Sequence, residues 1–277
     1  MIAVAGVCVA EQGIRLVAVD LDGTLLNDAK QVSRKTVDAL KCLPRNGVRV
    51  VIASARPPRS VRHVYRELGL DTFQINYNGA LIWDEPNGRA VYHRPMPADV
   101  VREIIEAVRD RYEEVLVGCE ILDRWCTDRF DQTYTTETGR LFKPDLVAPL
   151  DEFLNQPVTK LMFLADPVTI TRLDPVLIAL PHDVSIVRSD PQLLQIMGAG
   201  SSKGAALRLV AKHYGVPMEQ VMALGDAVND VPMLEAAGVA VAMDNAHPDV
   251  KRVADWVAPS NNDHGVHAAL VRYGLCQ

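Results

Sequence analysis

The 277-residue sequence predicts an α/β fold, a Rossmann-like parallel sheet interrupted by an inserted α+β domain. Three observations carry that expectation. Short apolar, β-branched runs alternate with helical patterns at both ends of the chain. Between about 84 and 190 the texture changes to strand-like pieces with few helices. Two apolar runs, one near each end, stop at aspartates, Asp20 and Asp226, and open parallel sheets place ligands at such carboxyl ends.

The elements follow in order. Residues 14–20 (IRLVAVD) read as a buried strand. Ser33 can cap a helix whose apolar positions Val37, Leu40 and Leu43 follow helical spacing, and Pro44 and Gly47 end it. Residues 48–54 (VRVVIAS) are a second buried strand. A helix over 59–68 closes at Gly69, a third strand begins at 73–77, and Asn78-Gly79 makes a turn. Strands alternating with helices imply a parallel sheet covered on both faces. In the insertion, strands are expected at 89–93, 115–121 and 159–165. Helices are expected at 98–112, with Val100, Val101, Ile104, Ile105 and Val108 on one face, and at 168–180. The α/β rhythm then returns with a helix over 203–214, strand 220–224, helix 230–237, strand 239–243, helix 247–254, strand 256–258 and a last helix near 265–273. The division implied is an extension over 1–13, a core from 14–83 and 191–277, and an inserted domain over 84–190.

Composition excludes several classes. The net charge is −6 and no basic stripe occurs, which argues against a nucleic-acid partner. Cys8, Cys42, Cys119, Cys126 and Cys276 are odd in number and form no C-x-x-C, as expected of reduced thiols in a cytoplasmic protein. The opening MIAVAGVCVA is apolar but too short to span a bilayer and lacks a basic flank. No other segment is long enough, so no membrane partner is expected.

Asp20-Leu21-Asp22-Gly23-Thr24 is the sharpest chemical signal. In extended backbone, residues i and i+2 point to the same side, and Gly23 lets the chain turn tightly. Both carboxylates therefore leave the carboxyl edge of the sheet together. Two adjacent carboxylates repel unless a cation or a shared proton relieves them. A calcium loop can also open with D-x-D-G, but position 12 from Asp20 is Gln31 rather than glutamate, and a strand precedes the motif. Gly225-Asp226-Ala227-Val228-Asn229-Asp230 follows a second apolar strand in the same way, and Asp226 could meet the Asp20/Asp22 pair. Carboxylate and carbonyl oxygens with water suit a hard divalent ion such as magnesium; the same cluster also reads as a helix cap. Lys203 opens a helix after Gly200-Ser201-Ser202, against the helix dipole, so a phosphate or a carboxylate partner would explain it. The alternative is a solvated lysine. Ser54 ends a strand before Ala55-Arg56, where a hydroxyl and successive N–H groups can hold phosphate oxygens; an ordinary strand end reads the same way.

In order and placement these four elements resemble the haloacid dehalogenase superfamily of phosphatases, over essentially all of residues 14–277. Only one helix and one strand fit between Asp22 and Ser54, whereas a large insertion separates Ser54 from Lys203. That insertion is similar to the family's C2B caps. The stretch from Lys203-Gly204 through GDAVNDVPMLEAAG, AVAMDNA and Asn262 to Gly265 resembles its Cof-type sugar-phosphatase branch. The resemblance implies a phosphoric monoester hydrolase with Mg2+ as cofactor. It implies that Asp20 attacks phosphorus to form an aspartyl-phosphate. Asp22 would protonate the leaving oxygen, then deprotonate the attacking water. Asp20, the backbone carbonyl of Asp22, and Asp226 would hold the metal. Ser54, Lys203 and Asn229, with N–H groups near Leu21 and Ala55, would hold phosphoryl oxygens. Asp230 would orient Lys203 by an ion pair, and Asn245 would support the site from nearby. The sequence departs from the family at Ala55, where glycine is common, and at Ala227 and Val228, where a polar residue is frequent.

The implied partner is a small phosphorylated metabolite, a sugar phosphate in that branch, with the cap closing over it. Asp128, Tyr134, Lys160 and Arg188 are polar cap residues that could read the leaving group. Trp83, Trp125 and Trp256 read as packing residues, and the seven histidines show no metal-ligand pattern. Two other functions use the same residues: a phosphotransferase of the phosphomannomutase kind, which shares the C2B cap, and a non-catalytic phosphate-ligand binder. The intact set Asp20, Asp22, Lys203 and Asp226 argues against the binder. The missing transmembrane segments argue against a membrane ATPase. The short spacing between the first two motifs argues against dehalogenating or phosphonate-cleaving relatives.

Overall fold

The computed structural model describes residues 13–131, 133–134 and 137–277, so the extension read over 1–13 and Cys8 within it lie outside, apart from Gly13. By contact the chain forms two compact units. One joins the described residues through Val51 to Arg208–Gln277; the other is Ile52–Leu207, which contains the whole of 84–190. Among the described residues no helix is long and apolar enough to cross a membrane.

In the first unit one sheet runs Trp256–Ala258, Val239–Met243, Val221–Gly225, Leu16–Val19, Arg49–Ile52. The first four strands pair parallel. Three of them are buried at every residue, as continuous apolar runs require of a sheet covered on both faces. The register sets Val19 opposite Leu224. The two strands therefore end level, and Asp20 and Gly225-Asp226 emerge side by side. Ser33 caps the helix Arg34–Cys42, its hydroxyl accepting the Thr36 N–H at 3.3 Å, and Val37 and Leu40 are buried beneath.

In the second unit the helix Pro58–Leu68 ends at Gly69, which takes the left-handed conformation expected there. The expected third strand, Phe73–Asn76, does not extend the parallel sheet. It joins Leu81–Asp84 and Arg89–His93 in a three-stranded antiparallel sheet. A single parallel bridge, Ala53 to Ile75, ties it to the chain beyond Arg49–Ile52. The cause is the turn Tyr77–Gly79, where all three residues have positive φ (50°, 55° and 94°) and the chain reverses.

The inserted stretch and the strand just beyond its expected boundary, Leu193–Gly198, build a six-stranded sheet in the order Val184–Asp190, Leu193–Gly198, Lys160–Leu164, Leu116–Ile121, Arg124–Thr127, Leu146–Val147. The sequence pattern picks out only Lys160–Leu164 and Leu116–Ile121 of these. The hairpin into Arg124–Thr127 turns through Leu122 at φ 56°, a residue that carries none of the usual turn chemistry. Helices Ala98–Arg109 and Pro167–Ile178 cover one face, where Val101, Ile104, Ile105 and Val108 pack with Val117, Cys119, Leu161 and Phe163.

This unit also buries charge. Arg59 donates to Glu120 Oε1 at 2.8 Å with both side chains nearly inaccessible. The Tyr77 hydroxyl lies 2.7 Å from the Leu122 carbonyl and 3.1 Å from Glu120 Oε2. Lys160 donates to Gln195 Oε1 at 3.1 Å and sits 5.0 Å over the Tyr77 ring. Burial pulls its ammonium from 10.5 down to about 8, against the opposing Glu120 charge. Between about 8 and 10.5 the unfolded chain holds a proton that the folded chain has released. The Lys160 contribution to stability therefore rises with pH across that window. Urea unfolding of the native chain, measured relative to Lys160→Met, should show the native gaining stability from pH 8 to 10. Parallel pH dependences would contradict the assignment.

Candidate active site

The site grows from two strand ends in the first unit. Asp20 is 5% exposed. Its N–H still follows the sheet, donating to the Leu224 carbonyl at 3.0 Å, but its own carbonyl accepts the Leu25 N–H at 3.2 Å. The strand thus curls into helical turns at once. Gly23 permits this with φ 81°, and a Cβ there would lie 2.4 Å from Asp226 Oδ2. The next residue, Thr24, donates its hydroxyl to Asp226 Oδ1 at 2.7 Å and fixes that carboxylate.

On the neighbouring strand, Asp230 is wholly buried, and its Oδ2 accepts the N–H groups of Asp226 at 3.0 Å and Ala227 at 2.9 Å. The cap and ligand readings of this cluster thus divide between residues: Asp230 braces the turn, and Asp226 is presented by it. Ala227 contributes its N–H, so its methyl side chain is no defect, while Val228 is 54% exposed. Asn229 is partly buried within the turn Val228–Asp230. Asp20, Asp226 and Asp230 each offer an oxygen within 4.8 Å of the others. An all-oxygen, acidic set of this kind fits a hard divalent cation, and without one the charges repel.

Asp22 pairs with Lys30 at 2.8 Å, the side chains being 37% and 47% exposed. Lys30 sits at the tip of the turn 27–31, held by hydrogen bonds from the Lys30 N–H to the Asn27 carbonyl and from the Gln31 N–H to Asn27 Oδ1. Asn245 is exposed, yet its amide donates to the Gly23 carbonyl at 2.8 Å and accepts the Asn261 N–H at 3.0 Å. Asn261 in turn donates to the Leu26 carbonyl and to Asp28, and Asn262 donates to Asp28 Oδ2 at 2.9 Å. Hydrogen bonds from Asn262 and then Asn261 hold the Asp28 carboxyl below the usual carboxylate range. One chain of amides therefore pins the Asp20 loop and the turn that carries Lys30. Sequence reasoning missed Thr24, Lys30 and Asn261. Thr24 closes the D-x-D-G-T motif and was the one available signal; the others depend on contacts between residues far apart in the chain.

Ser54, Ala55 and Lys203 belong to the second unit. Ser54 is buried; its N–H donates to the Ile75 carbonyl, its carbonyl accepts the Asn78 N–H at 3.2 Å, and its hydroxyl oxygen accepts the Arg56 N–H at 3.1 Å. A hydroxyl can accept and still donate, so Ser54 keeps its O–H for another acceptor. Ala55 is partly buried. Lys203 is 1% exposed, which removes the solvated-lysine alternative. Of the four polar cap residues, Asp128 is clamped by Arg109, Arg188 by Asp174, and Lys160 is buried on Gln195. Tyr134 lines a cavity.

Residues 17–270 match the family described as haloacid dehalogenase-like hydrolase. The chain belongs to that family. This haloacid dehalogenase-like hydrolase is 31% identical over 278 residues to the phosphatase YwpJ of Bacillus subtilis, covering 91% of this chain and 97% of that one. It is 32% identical over 272 residues to YitU of the same organism, named a 5-amino-6-(5-phospho-D-ribitylamino)uracil phosphatase, at 93% and 97% coverage. The solved structure of a haloacid dehalogenase-like hydrolase from Bacteroides thetaiotaomicron superposes with a TM-score of 0.85 at 28% identity, covering 94% and 99%. The chain is a phosphatase of the Cof-type branch, with a parallel-sheet core and a cap. In this haloacid dehalogenase-like phosphatase, Thr24→Val should remove a charge-assisted hydrogen bond, of the kind worth roughly 1.5–3 kcal/mol. Loss of at least about tenfold in kcat, with the unfolding midpoint lowered by roughly 2–4 °C per kcal/mol lost, is the expected result; wild-type kcat would show that Asp226 needs no such restraint.

Proposed function

We propose that this phosphatase hydrolyses a small phosphorylated metabolite, a phosphate ester of a sugar or sugar alcohol, using magnesium and an aspartyl-phosphate intermediate. The reading is carried by the cluster of Asp20, Asp226 and Asp230 at the carboxyl end of the parallel strands. Two relatives, 32% and 30% identical, are named 5-amino-6-(5-phospho-D-ribitylamino)uracil phosphatases, and that compound bears its phosphate on a sugar-alcohol chain. Residues 84–190, together with the strand Leu193–Gly198 that pairs into their sheet, act as the cap, and the rest of 14–83 and 191–277 forms the core. The four described cysteines are free thiols, which suits a cytoplasmic enzyme.

Asp20 supplies the attacking oxygen: its carboxylate bonds to phosphorus as the ester P–O bond breaks, and Asp22 gives its proton to the departing oxygen. Asp22 then takes a proton from water, whose oxygen bonds to phosphorus while the Asp20–phosphorus bond breaks and phosphate leaves. Lys30 pairs with Asp22 at 2.8 Å. Both side chains are partly exposed, so the pair opens at little cost when Asp22 must carry a proton. Ser54, Lys203, Asn229 and the N–H groups of Leu21 and Ala55 hold the phosphoryl oxygens, Asp230 orients Lys203, and Asn245 steadies the loop. Asp20, the Asp22 carbonyl and Asp226 would hold magnesium, which when bound shields the anionic nucleophile from the anionic phosphate.

The test is phosphate release from a panel of sugar and sugar-alcohol phosphates, with magnesium and with chelator. Chelator should reduce release to background and added magnesium should restore it. Thermal unfolding gives an independent readout, because an ion at about 100 times its Kd stabilises by roughly 2.7 kcal/mol. Release indifferent to chelator would refute the metal assignment. Isomerisation of a sugar phosphate without release would replace hydrolysis by phosphoryl transfer between hydroxyls.

A further inference from the structure

Lys30 has φ 59°, the left-handed region that is costly for a residue with a Cβ and where glycine or asparagine is usual. Backbone outliers of this kind persist only where the surrounding structure enforces them, and they collect at functional sites. The turn 27–31 supplies the enforcement. The Asn27 N–H donates to the Gln31 carbonyl at 3.0 Å, the Lys30 N–H to the Asn27 carbonyl at 2.8 Å, and the Gln31 N–H to Asn27 Oδ1 at 2.9 Å. A second loop clamps the turn at Asp28. The Asp28 N–H donates to Asn262 Oδ1 at 3.1 Å, while Asn262 Nδ2 returns a bond to Asp28 Oδ2 at 2.9 Å. Asn261 Nδ2 adds another, to Asp28 Oδ1 at 3.1 Å.

This order converges on one contact. Lys30 Nζ donates to Asp22 Oδ1 at 2.8 Å. The two side chains are 47% and 37% exposed, and an ion pair so open to water adds little to stability. Stability therefore does not explain a lysine in a conformation that glycine would hold more cheaply. Orientation does. A partly exposed aspartate is otherwise spread over several staggered χ1 wells. Proton transfer needs its oxygen within hydrogen-bond reach of the reacting atom. An ammonium carried by a rigid turn selects one orientation of the Asp22 carboxyl and keeps it.

We propose that Lys30 is a positioning residue of the phosphatase reaction: the turn 27–31, clamped by Asn261 and Asn262, holds its ammonium so that the Asp22 carboxyl is aimed for proton transfer. The inference rests on the reading above, in which Asp22 gives its proton to the departing oxygen. It also explains why the strained residue is a lysine and why a loop more than 200 residues away along the chain is tied to Asp28.

The test compares native protein with Lys30→Gly, Lys30→Asn, Lys30→Arg, Asn262→Ala and Asp22→Asn on ribose 5-phosphate and p-nitrophenyl phosphate. The sugar leaves as a basic alkoxide that needs the proton from Asp22, whereas p-nitrophenolate leaves readily without it. In Lys30→Gly and Lys30→Asn, kcat/KM for ribose 5-phosphate should fall about tenfold, part of the roughly 10²–10⁴-fold a general acid supplies, and that for p-nitrophenyl phosphate less than about threefold. Both replacements suit the left-handed conformation, so their unfolding midpoints should equal or exceed the native one. A merely structural lysine predicts the opposite, a lower midpoint and equal losses on both esters. Lys30→Arg, which keeps a cation, should recover most of the activity. Asn262→Ala should lower kcat/KM in the same selective way and add little in the double variant with Lys30→Gly, because both act through one turn. Native kcat/KM for ribose 5-phosphate in Lys30→Gly and Lys30→Asn, or equal losses on the two esters, overturns the proposal; where Asp22→Asn is inactive on ribose 5-phosphate, the hydrolytic reading still stands. Full turnover of ribose 5-phosphate by Asp22→Asn, or a native protein that hydrolyses neither ester, removes that reading and the proposal with it.

Discussion

Asp20→Asn is expected to eliminate phosphate release while leaving the fold intact or more stable. The substitution keeps the size and shape of the side chain and both backbone hydrogen bonds, from the Asp20 N–H to Leu224 and from the Leu25 N–H to Asp20. What it removes is the nucleophilic oxygen. Deleting a nucleophile that works within a concerted set costs on the order of 10⁴- to 10⁶-fold in kcat. The stability argument runs the opposite way. Asp20, Asp226 and Asp230 hold oxygens within 4.8 Å of one another. At such a distance two like charges repel by roughly 3 kcal/mol at an effective dielectric near 20. Removing one charge relieves part of that repulsion in chelator, so the unfolding midpoint of the variant should equal or exceed that of the native chain. In magnesium the order should reverse, because the variant has lost a metal ligand and gains less from the ion. Retained turnover would remove Asp20 from the chemistry. Lost turnover with an unchanged magnesium response would leave it a nucleophile but not a ligand.

The contrast between Asp20 and its supports shows what a single sequence can disclose. Asp20 and Asp226 are legible because each follows a short apolar run, and a run of that kind ends at the sheet edge whatever the rest of the chain does. Ser33 and Gly69 are legible for the same reason, since capping is local. Thr24 is adjacent to the motif, but its role depends on a hydrogen bond to Asp226 that only the parallel pairing of Leu16–Val19 with Val221–Gly225 creates. Asn261 is more remote still: its partners, Leu26, Asp28 and Asn245, come from two other loops. The third strand fails for a different reason. Phe73–Asn76 has the composition of a parallel core strand, and what redirects it is the backbone of Tyr77–Gly79, where Tyr77 at φ 50° defies its own preference. In the cap, Trp125 has the composition of a packing residue. Its indole nitrogen is buried with no hydrogen-bond partner among the described residues, which alternation alone does not reveal.

Gly79→Ala should be among the most damaging single-methyl additions in the second unit, and it should damage activity through Lys203. Gly79 has φ 94°, a conformation that costs an alanine roughly 1–2 kcal/mol. The added Cβ would also fall 2.2 Å from the Ser202 carbonyl oxygen and 3.2 Å from the Ala206 Cβ. The first of these is backbone and has no rotamer to escape into, so the chain itself must shift, at a further cost of about 1–3 kcal/mol. For a chain of this size each kcal/mol lowers Tm by roughly 2–4 °C, so a fall on the order of 10 °C is expected. The element forced to move is the start of the helix Lys203–His213, and the neighbouring residue Asn78 is bonded to the Ser54 carbonyl. Of the second unit's phosphate-binding candidates, Ser54, Ala55 and Lys203, the first and last lie beside the turn that the methyl would displace. Gly88→Ala separates strain from collision. It has φ 61° with nothing within 4 Å of its Cβ, so it keeps the backbone penalty and lacks the clash. It should lose about 1 kcal/mol and retain native kcat. Gly79→Ala, assayed below its lowered midpoint, should lose kcat as well as stability. If the two variants matched in both measurements, the turn at Tyr77–Gly79 would matter for folding alone, and the placement of Lys203 would have to come from elsewhere in its helix.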